Sequence, residues 1–327
     1  MAMRLLGPAY LFLAFTLAGT SVVAARFVSG SLGIFTITAV SLFFAALFLL
    51  AAKGGRIIRT LKALPLNGYL PLVFQALFGI FLFRMFLLSG LQGTSALEAG
   101  ILTSATPAMT AVLAMAFLKE KATGGKLIGI ALTVAGIALI QGVLSREGGF
   151  ASDHLPGNML VLCAAACEAL FNIFSRRFAV KGGDGGGLAM DPWTQTFLVS
   201  ETAFLFCLVP ALLEQPVRRL GALLPEGWAA LIWYGIFVTA LAFLCWYGGI
   251  RRAGALTAAA FSGMMPLTAA LLSMFLLKES PAWHQLAGGA LVLAGMVWSG
   301  MGAARKKRIG AGRQRNCPSA IEYQRKA

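Results

Sequence analysis

Apolar runs long enough to cross a membrane follow one another along almost the whole chain. A helix needs about 20 apolar residues to span a hydrocarbon core of roughly 30 Å. Ten such runs are present, at residues 5–25, 32–52, 68–91, 95–118, 126–144, 157–175, 193–213, 227–250, 255–277 and 283–303. Only 12% of the 327 residues are charged, which is too few to cover the surface of a soluble protein. The sequence therefore predicts an all-α membrane protein with ten transmembrane helices.

The distribution of Lys and Arg predicts how the chain is oriented. Cytoplasmic loops of membrane proteins carry an excess of these residues. If the N-terminus is placed in the cytoplasm, 21 of the 27 basic residues fall on the inner side, five fall on the outer side, and Arg84 lies within a helix. We therefore expect a multi-pass protein with both termini cytoplasmic and a basic cytoplasmic tail over residues 305–327. The net charge of +15 belongs to these loops and does not indicate a nucleic-acid partner.

The two halves of the chain are related in sequence. Residues 97–136 overlie residues 256–295 without a gap when the chain is shifted by 159 positions, and 15 of the 40 aligned residues are identical. The most informative identities are Pro107 with Pro266 and Lys119-Glu120 with Lys278-Glu279. Two repeats of five helices must enter the membrane from opposite sides, since five is odd. The sequence thus predicts inverted repeats over residues 1–145 and 155–304, an architecture of secondary transporters that alternate access to a central site.

Both copies of this segment resemble a family signature. Residues 93–107 with 117–120, and again 254–266 with 276–279, are similar to the fourth-helix signature of EamA-type transporters in the drug/metabolite transporter superfamily. The resemblance implies two EamA-like five-helix repeats without enzymatic activity. It also implies export of a small metabolite, amino acid or drug-like compound across the bacterial inner membrane. Where family members often carry Trp near the middle of the sixth helix, this chain has Glu168.

Two carboxylates lie near the middle of predicted membrane helices. Glu168 is about ten residues into the sixth helix and Glu201 about eight residues into the seventh, so at about 1.5 Å per residue both reach the membrane interior. Asn172 lies one turn beyond Glu168 on the same face. Ionisable residues at this depth mark substrate or proton pathways. We expect Glu168, Asn172 and Glu201 to bind a cationic group of the substrate or to carry a coupling proton. The structural alternative is a protonated Glu168 that only bonds neighbouring helices.

Arg84 and Glu98 flank a very short turn between the third and fourth helices. Their depths below the outer surface agree within roughly 5 Å, so the sequence predicts an ion pair between them. Such a pair would make both charges tolerable inside the membrane. The functional alternative is an extracellular gate or an anion site.

Residues beside the two repeated prolines are candidates for a cavity wall or a hinge. Thr103 and Thr106 follow helical spacing next to Pro107, and Pro266 is the equivalent proline of the second half. Proline inside a helix removes a backbone hydrogen bond and can kink the helix. A break of this kind at membrane depth is tolerated where it lines a cavity.

Two aromatic residues complete the candidate cavity. Trp246 and Tyr247 lie near the end of the eighth helix. They either line the cavity or anchor the helix at the membrane interface, where aromatic residues are enriched.

The sequence contains no motif for cofactor or metal chemistry. The P-loop pattern is absent, and His154 and His284 are the only histidines. We therefore expect no cofactor, no metal site and no catalytic residue. The expected partners are a small-molecule substrate, the lipid bilayer and, if transport is proton-coupled, a proton. Two alternatives stay open: a carrier of nucleotide-linked or lipid-linked sugars, and an intramembrane enzyme.

Overall fold

The computed structural model describes residues 2–63, 68–103, 105–117, 124–140, 153–181, 191–261, 264–295 and 298. All regular secondary structure in these residues is helical. The α-helices are α1 (Ala2–Val28), α2 (Ile34–Ala63), α3 (Tyr69–Ala76), α4 (Phe83–Gly90), α5 (Ala96–Thr103), α6 (Thr106–Phe117), α7 (Gly124–Ile140), α8 (Leu155–Lys181), α9 (Pro192–Leu213), α10 (Pro216–Gly221), α11 (Pro225–Trp233), α12 (Ala242–Phe261), α13 (Met264–Leu276) and α14 (283–295). Two π-helical segments complete the list: Leu77–Leu82 joins α3 to α4, and Tyr234–Leu241 joins α11 to α12.

Seven helical segments are long and apolar enough to cross a membrane. They are Leu6–Val28, Ile34–Lys62, Tyr69–Gly90, Ala96–Phe117, Leu155–Phe174, Pro192–Leu213 and Pro225–Ile250. The other three predicted spans correspond to α7, α13 and α14, which are shorter than 18 residues in the part of the chain that the structure describes. The prediction of an all-helical membrane protein is confirmed, and the number of ten spans stays a prediction.

The outward faces of the spans are strongly apolar. On α9, Leu205, Val209, Leu212 and Leu213 are between 63% and 81% exposed. A soluble protein rarely exposes a continuous apolar patch of this kind. In a membrane the same face meets lipid chains, while the backbone polar groups are satisfied within the helix.

Two helices break just before the repeated prolines. α5 ends at Thr103, and α6 begins with Thr106 and Pro107. α12 and α13 are separated in the same way, and Pro266 is the third residue of α13. Proline is tolerated in a first turn because its missing N–H would have no partner inside the helix. The predicted kink is therefore a break, with each proline in the first turn of a new helix.

The course of α12 differs from the prediction. The helix runs without interruption from Ala242 to Phe261, through residues 251–254, which the sequence predicted as a connection between two spans. No proline interrupts this stretch, and four of the six residues 255–260 are alanine, the strongest helix former. The backbone therefore stays helical until the break that precedes Pro266.

Corresponding helices of the two sequence repeats have corresponding neighbours. α1 packs against α12 and α13, and α8 packs against α4, α5 and α6. α2 packs along α9, and α5 packs against α13. The largest buried cluster joins both halves, since it contains Leu87, Leu88 and Leu102 together with Leu231 and Tyr234.

α7 and α14 come very close at two glycines. A Cβ atom added to Gly136 would lie 2.6 Å from the carbonyl oxygen of Gly288, and one added to Gly295 would lie 2.6 Å from the carbonyl oxygen of Gly129. Small residues permit such close approach of membrane helices. Each helix contacts the other through the same two repeat positions, because Gly136 and Gly295, like Gly129 and Gly288, are 159 residues apart.

Candidate functional site

Glu168 lies beside the start of a broken helix. Its side chain on α8 is half-buried, and Oε2 accepts a hydrogen bond of 2.9 Å from the hydroxyl of Thr106. Thr106 is the first residue of α6. The first turn of a helix leaves N–H groups without intrahelical partners and carries partial positive charge, which favours a nearby carboxylate. The structure thus brings together Glu168 and the helix break that the sequence predicted separately.

The threonines of the break are bonded to their own helix. Thr103 is buried and donates to the carbonyl of Gly100 at 2.7 Å. The Thr106 hydroxyl is also within 2.8 Å of the Thr103 carbonyl. A hydroxyl has one proton to donate, so Thr106 can bond either the carbonyl or the Glu168 carboxylate. This choice allows the carboxylate to release its partner when another cation or donor approaches.

Asn172 and Glu201 are placed differently from each other. Asn172 is half-buried on α8, one turn beyond Glu168. Glu201 is half-buried on α9 and makes no hydrogen bond or ion pair with the residues that the structure describes. The partner of Glu168 is Thr106 and not Glu201. The hypothesis that both carboxylates serve one cavity therefore stays a prediction.

Arg84 is buried where both halves of the chain meet. Only 3% of the residue is exposed, and its guanidinium donates to the hydroxyl of Ser41 at 2.9 Å and to the hydroxyl of Thr239. The ring of Tyr234 lies 4.4 Å from the guanidinium carbon, a cation–π contact. Ser41 comes from α2, whereas Tyr234 and Thr239 belong to the π-helical segment of the second half.

Glu98 belongs to a different network near the outer end of α5. Its Oε2 accepts from Thr94 at 2.9 Å and from Asn158 at 2.8 Å, and its Oε1 lies 2.6 Å from the amide nitrogen of Gln285 and 3.0 Å from Nδ1 of His154. The network joins α5 to α8 and α14. Since Arg84 and Glu98 have separate partners, the ion pair predicted between them is not formed among the described residues.

Carboxylates also bind the first turns of two outer helices. Glu279 accepts hydrogen bonds from the backbone N–H groups of Ala96 and Leu97 at 3.1 and 2.8 Å. Glu214 accepts from the N–H groups of Phe35 and Thr36 at 3.2 and 2.7 Å. Each contact satisfies free N–H groups at a helix start. The repeated Lys-Glu pair is the sequence signal for Glu279, whereas no pattern singles out Glu214; Glu120 lies outside the described residues.

Tyr247 is not an interfacial anchor. Its side chain is buried, and its hydroxyl donates to the amide oxygen of Gln75 at 3.0 Å. The same oxygen accepts from the side-chain nitrogen of Gln195 at 3.1 Å. Trp246 is partly buried, and its ring contacts that of Phe15 edge to face at 5.5 Å. The glutamines were not predicted as site residues, because a single Gln in an apolar run carries no distinctive pattern.

No group of three or more His, Cys, Asp or Glu residues that could hold a metal ion occurs in the described part of the chain. The charged groups of the site are instead single carboxylates and one guanidinium, each held by neutral hydroxyl or amide partners. Such groups can bind and release a charged small molecule without forming a bond to it.

Comparison with known proteins identifies relatives over both halves. The sequence profile described as "EamA-like transporter family" matches residues 5–142 and again 155–301. The "Uncharacterized transporter YetK" of Bacillus subtilis is 34% identical over 237 residues, which cover 72% of this chain and 68% of that protein. "Uncharacterized transporter YyaM" of the same organism is 28% identical over 220 residues, 67% of this chain and 69% of the relative.

A more distant relative has a more specific description. The "Probable terminal-alkyne amino-acid exporter" of Streptantibioticus cattleyicolor is 25% identical over 201 residues, 61% of this chain and 62% of that protein. Among solved structures, one crystal structure with 22% sequence identity superposes with a TM-score of 0.59 and covers 91% of this chain and 98% of the other. This likeness extends to the fold alone.

Proposed function

Because the chain belongs to the EamA-like transporter family, we propose that it exports a small metabolite, an amino acid or a drug-like compound across the bacterial inner membrane by alternating access. Membership of this family makes it a multi-pass membrane transporter of the drug/metabolite superfamily and not an enzyme. The observation that carries the proposal is Glu168, a half-buried carboxylate at the start of the broken helix α6. Broken helices of secondary transporters present their ends to the substrate and the coupling ion.

The chain acts as two inverted repeats of five helices, residues 1–145 and 155–304, followed by the cytoplasmic tail 305–327. Several features support this arrangement. The breaks before Pro107 and Pro266, the π-helical segments, and the reciprocal glycine contacts of α7 and α14 recur about 159 residues apart. Inverted repeats of this kind rock against each other around a site between them.

Glu168 binds the cationic group of the substrate or carries the coupling proton, and Asn172 contributes a neutral hydrogen-bonding group one turn away. Thr106 holds the carboxylate when the site is empty, since it can turn to the Thr103 carbonyl when the substrate binds. Glu201 takes part in the same pathway as a second, unpaired carboxylate. These roles follow from the depth of the side chains and from the cost of burying a carboxylate without a function.

Contacts between the halves at the outer ends of the helices act as a closed gate. Glu279 follows α13 and binds the first turn of α5, Glu214 follows α9 and binds the first turn of α2, and Gln285 of α14 binds Glu98. Opening toward the outside requires these contacts to separate. With both termini cytoplasmic, the structure corresponds to a state closed on the outer side.

The test is a comparison of metabolites inside and outside cells that express the wild type, Glu168→Gln, Glu226→Gln or no transporter. Glu226 is an exposed carboxylate at the start of α11 and serves as the matched control. We expect particular compounds to move outward with the wild type and Glu226→Gln but not with Glu168→Gln. Profiles of Glu168→Gln that equal the wild type would refute the role of Glu168. Profiles of the wild type that equal the empty strain would refute the proposed export.

A further inference from the structure

The guanidinium of Arg84 is a buried charge that the role of Glu168 does not use. We infer that Arg84 binds the carboxylate of the transported compound, so that the substrate is a small monocarboxylate. This inference rests on the proposed function and deepens it by naming the substrate class. The argument uses the charge, the position and the hydrogen-bonding geometry of the group.

The charge of Arg84 is not neutralised by the described part of the chain. Its contacts are two hydroxyls, those of Ser41 and Thr239, and the ring of Tyr234. No described carboxylate forms an ion pair with it. An isolated charge in the membrane interior is costly and is kept where it serves a function. The missing anion is therefore supplied by the cargo.

The position of Arg84 suits a site between the halves. Its partners come from α2 and from the π-helical segment Tyr234–Leu241, and Arg84 itself follows the other π-helical segment by two residues. Short π-helical segments inside α-helices occur frequently at functional sites. Movement of one half against the other would separate Arg84 from Thr239 and open the guanidinium to a ligand.

Arg84 lies at the same depth as Glu168. The α3–α4 span and α8 run antiparallel, because a Cβ added to Gly79 would lie 2.5 Å from the Phe171 ring, and one added to Gly90 would lie 2.8 Å from Val161. This register places Arg84 level with residues 166–167, within about two residues, or 3 Å along the helix, of Glu168. A cationic and an anionic site at one depth suit a compound that carries both an amine and a carboxylate.

The hydrogen-bonding geometry also selects a carboxylate. A guanidinium presents paired N–H groups that match the two oxygens of a carboxylate. The hydroxyls of Ser41 and Thr239 now donate to the backbone carbonyls of Thr38 and Tyr234 at 2.9 and 2.8 Å. Both hydroxyls can rotate and donate to an anion. A phosphate dianion would need a second cation, and Arg84 is the only basic residue located away from the ends of the seven described spans.

The test uses purified protein in proteoliposomes. The probes are the compounds whose export depends on the wild type in the metabolite comparison, each with its methyl ester, which keeps the amine and loses the carboxylate charge. Each ester is offered as a competitor of its parent compound to the wild type, Arg84→Gln, Arg84→Lys and Arg252→Gln. Arg252 is the matched control, because it also lies over a tyrosine ring, at 5.2 Å from the centre of Tyr10, but is exposed.

We expect the ester to compete about 10- to 100-fold more weakly than the free carboxylate in the wild type and in Arg252→Gln, which corresponds to the loss of one charged hydrogen-bonded contact. The difference should disappear in Arg84→Gln and be reduced in Arg84→Lys. Exported compounds without a carboxylate, or esters that compete equally well with the wild type, would overturn the inference while export stands.

Two further outcomes separate the possible failures. If Arg84→Gln slows transport of all compounds but keeps the preference for the carboxylate, Arg84 has a structural role and the inference is wrong. If the wild type exports nothing, the proposed function itself fails. The comparison of ester and carboxylate in the wild type does not depend on any variant folding, so unfolding of Arg84→Gln leaves the inference testable.

Discussion

Adding one methyl group to Gly33 should remove the carboxylate from the first turn of α2. The three atoms nearest to a Cβ built on Gly33 all belong to the carboxyl group of Glu214, and they are too close to remain in place. Gly30, three residues earlier, has no atom within 4 Å of its Cβ position. Gly33→Ala and Gly30→Ala therefore add the same methyl group to neighbouring positions, and only one of them displaces Glu214.

The expected cost is about 2 kcal/mol of unfolding free energy. The long Glu214 side chain can swing aside, so the steric cost itself is small. Its loss from Phe35 and Thr36 removes a helix cap worth about 0.5–2 kcal/mol and a favourable interaction with the helix dipole of about 0.3–1 kcal/mol. At about 2–4 °C per kcal/mol, the apparent melting temperature should fall by about 4–8 °C.

The assay is thermal unfolding of the purified protein in detergent, followed by intrinsic fluorescence at one scan rate. Gly30→Ala should unfold at or slightly above the wild-type temperature, because alanine restricts the unfolded chain. In a Glu214→Ala background, Gly33→Ala should have no further effect, since the two changes act on one contact. An equal loss with and without Glu214, or no loss in the wild type, would refute the explanation.

Three further predictions concern packing, capping and orientation. Gly295→Ala should cost about 1–3 kcal/mol in the same unfolding assay, because the methyl group meets the opposing helix backbone, whereas Gly124→Ala, with no atom within 4 Å, should be neutral; equal stability of the two would contradict the close contact. Glu279→Gln should lower the melting temperature by about 2–4 °C, because the amide keeps an acceptor but loses the charge at the start of α5, and an unchanged value would speak against the cap. In a Cys163→Ser background a membrane-impermeant maleimide should label Cys317 in inside-out but not in right-side-out vesicles, and the reverse pattern would show that the tail is outside.

Much of the site could be located along the chain but not around it. The rise of 1.5 Å per residue in a helix allows depth to be read from residue numbers, and this is why Glu168 could be predicted near the membrane interior and near the depth of the proline break. Depth was also the basis for pairing Arg84 with Glu98. That pair is not formed among the described residues, because each side chain points to a different neighbouring helix.

What the sequence determined by itself was the class of protein and its internal repetition. Runs of about 20 apolar residues have no other stable use than membrane spans, and the shift of 159 residues relates the two halves. Local chemistry likewise predicted the breaks at Pro107 and Pro266, since the effect of proline is confined to its own turn.

Only the tertiary structure decided which side chains meet. Arg84 and Thr239 are 155 residues apart, and Glu98 and Gln285 are 187 residues apart. In lipid every outward face is apolar and every helix satisfies its own backbone, so neither hydrophobic pattern nor backbone hydrogen bonding specifies the neighbour of a given helix. Close contacts between small residues, such as that of Gly136 with Gly288, select the neighbours, and the polar partners of Arg84, Glu98 and Glu214 follow from that packing.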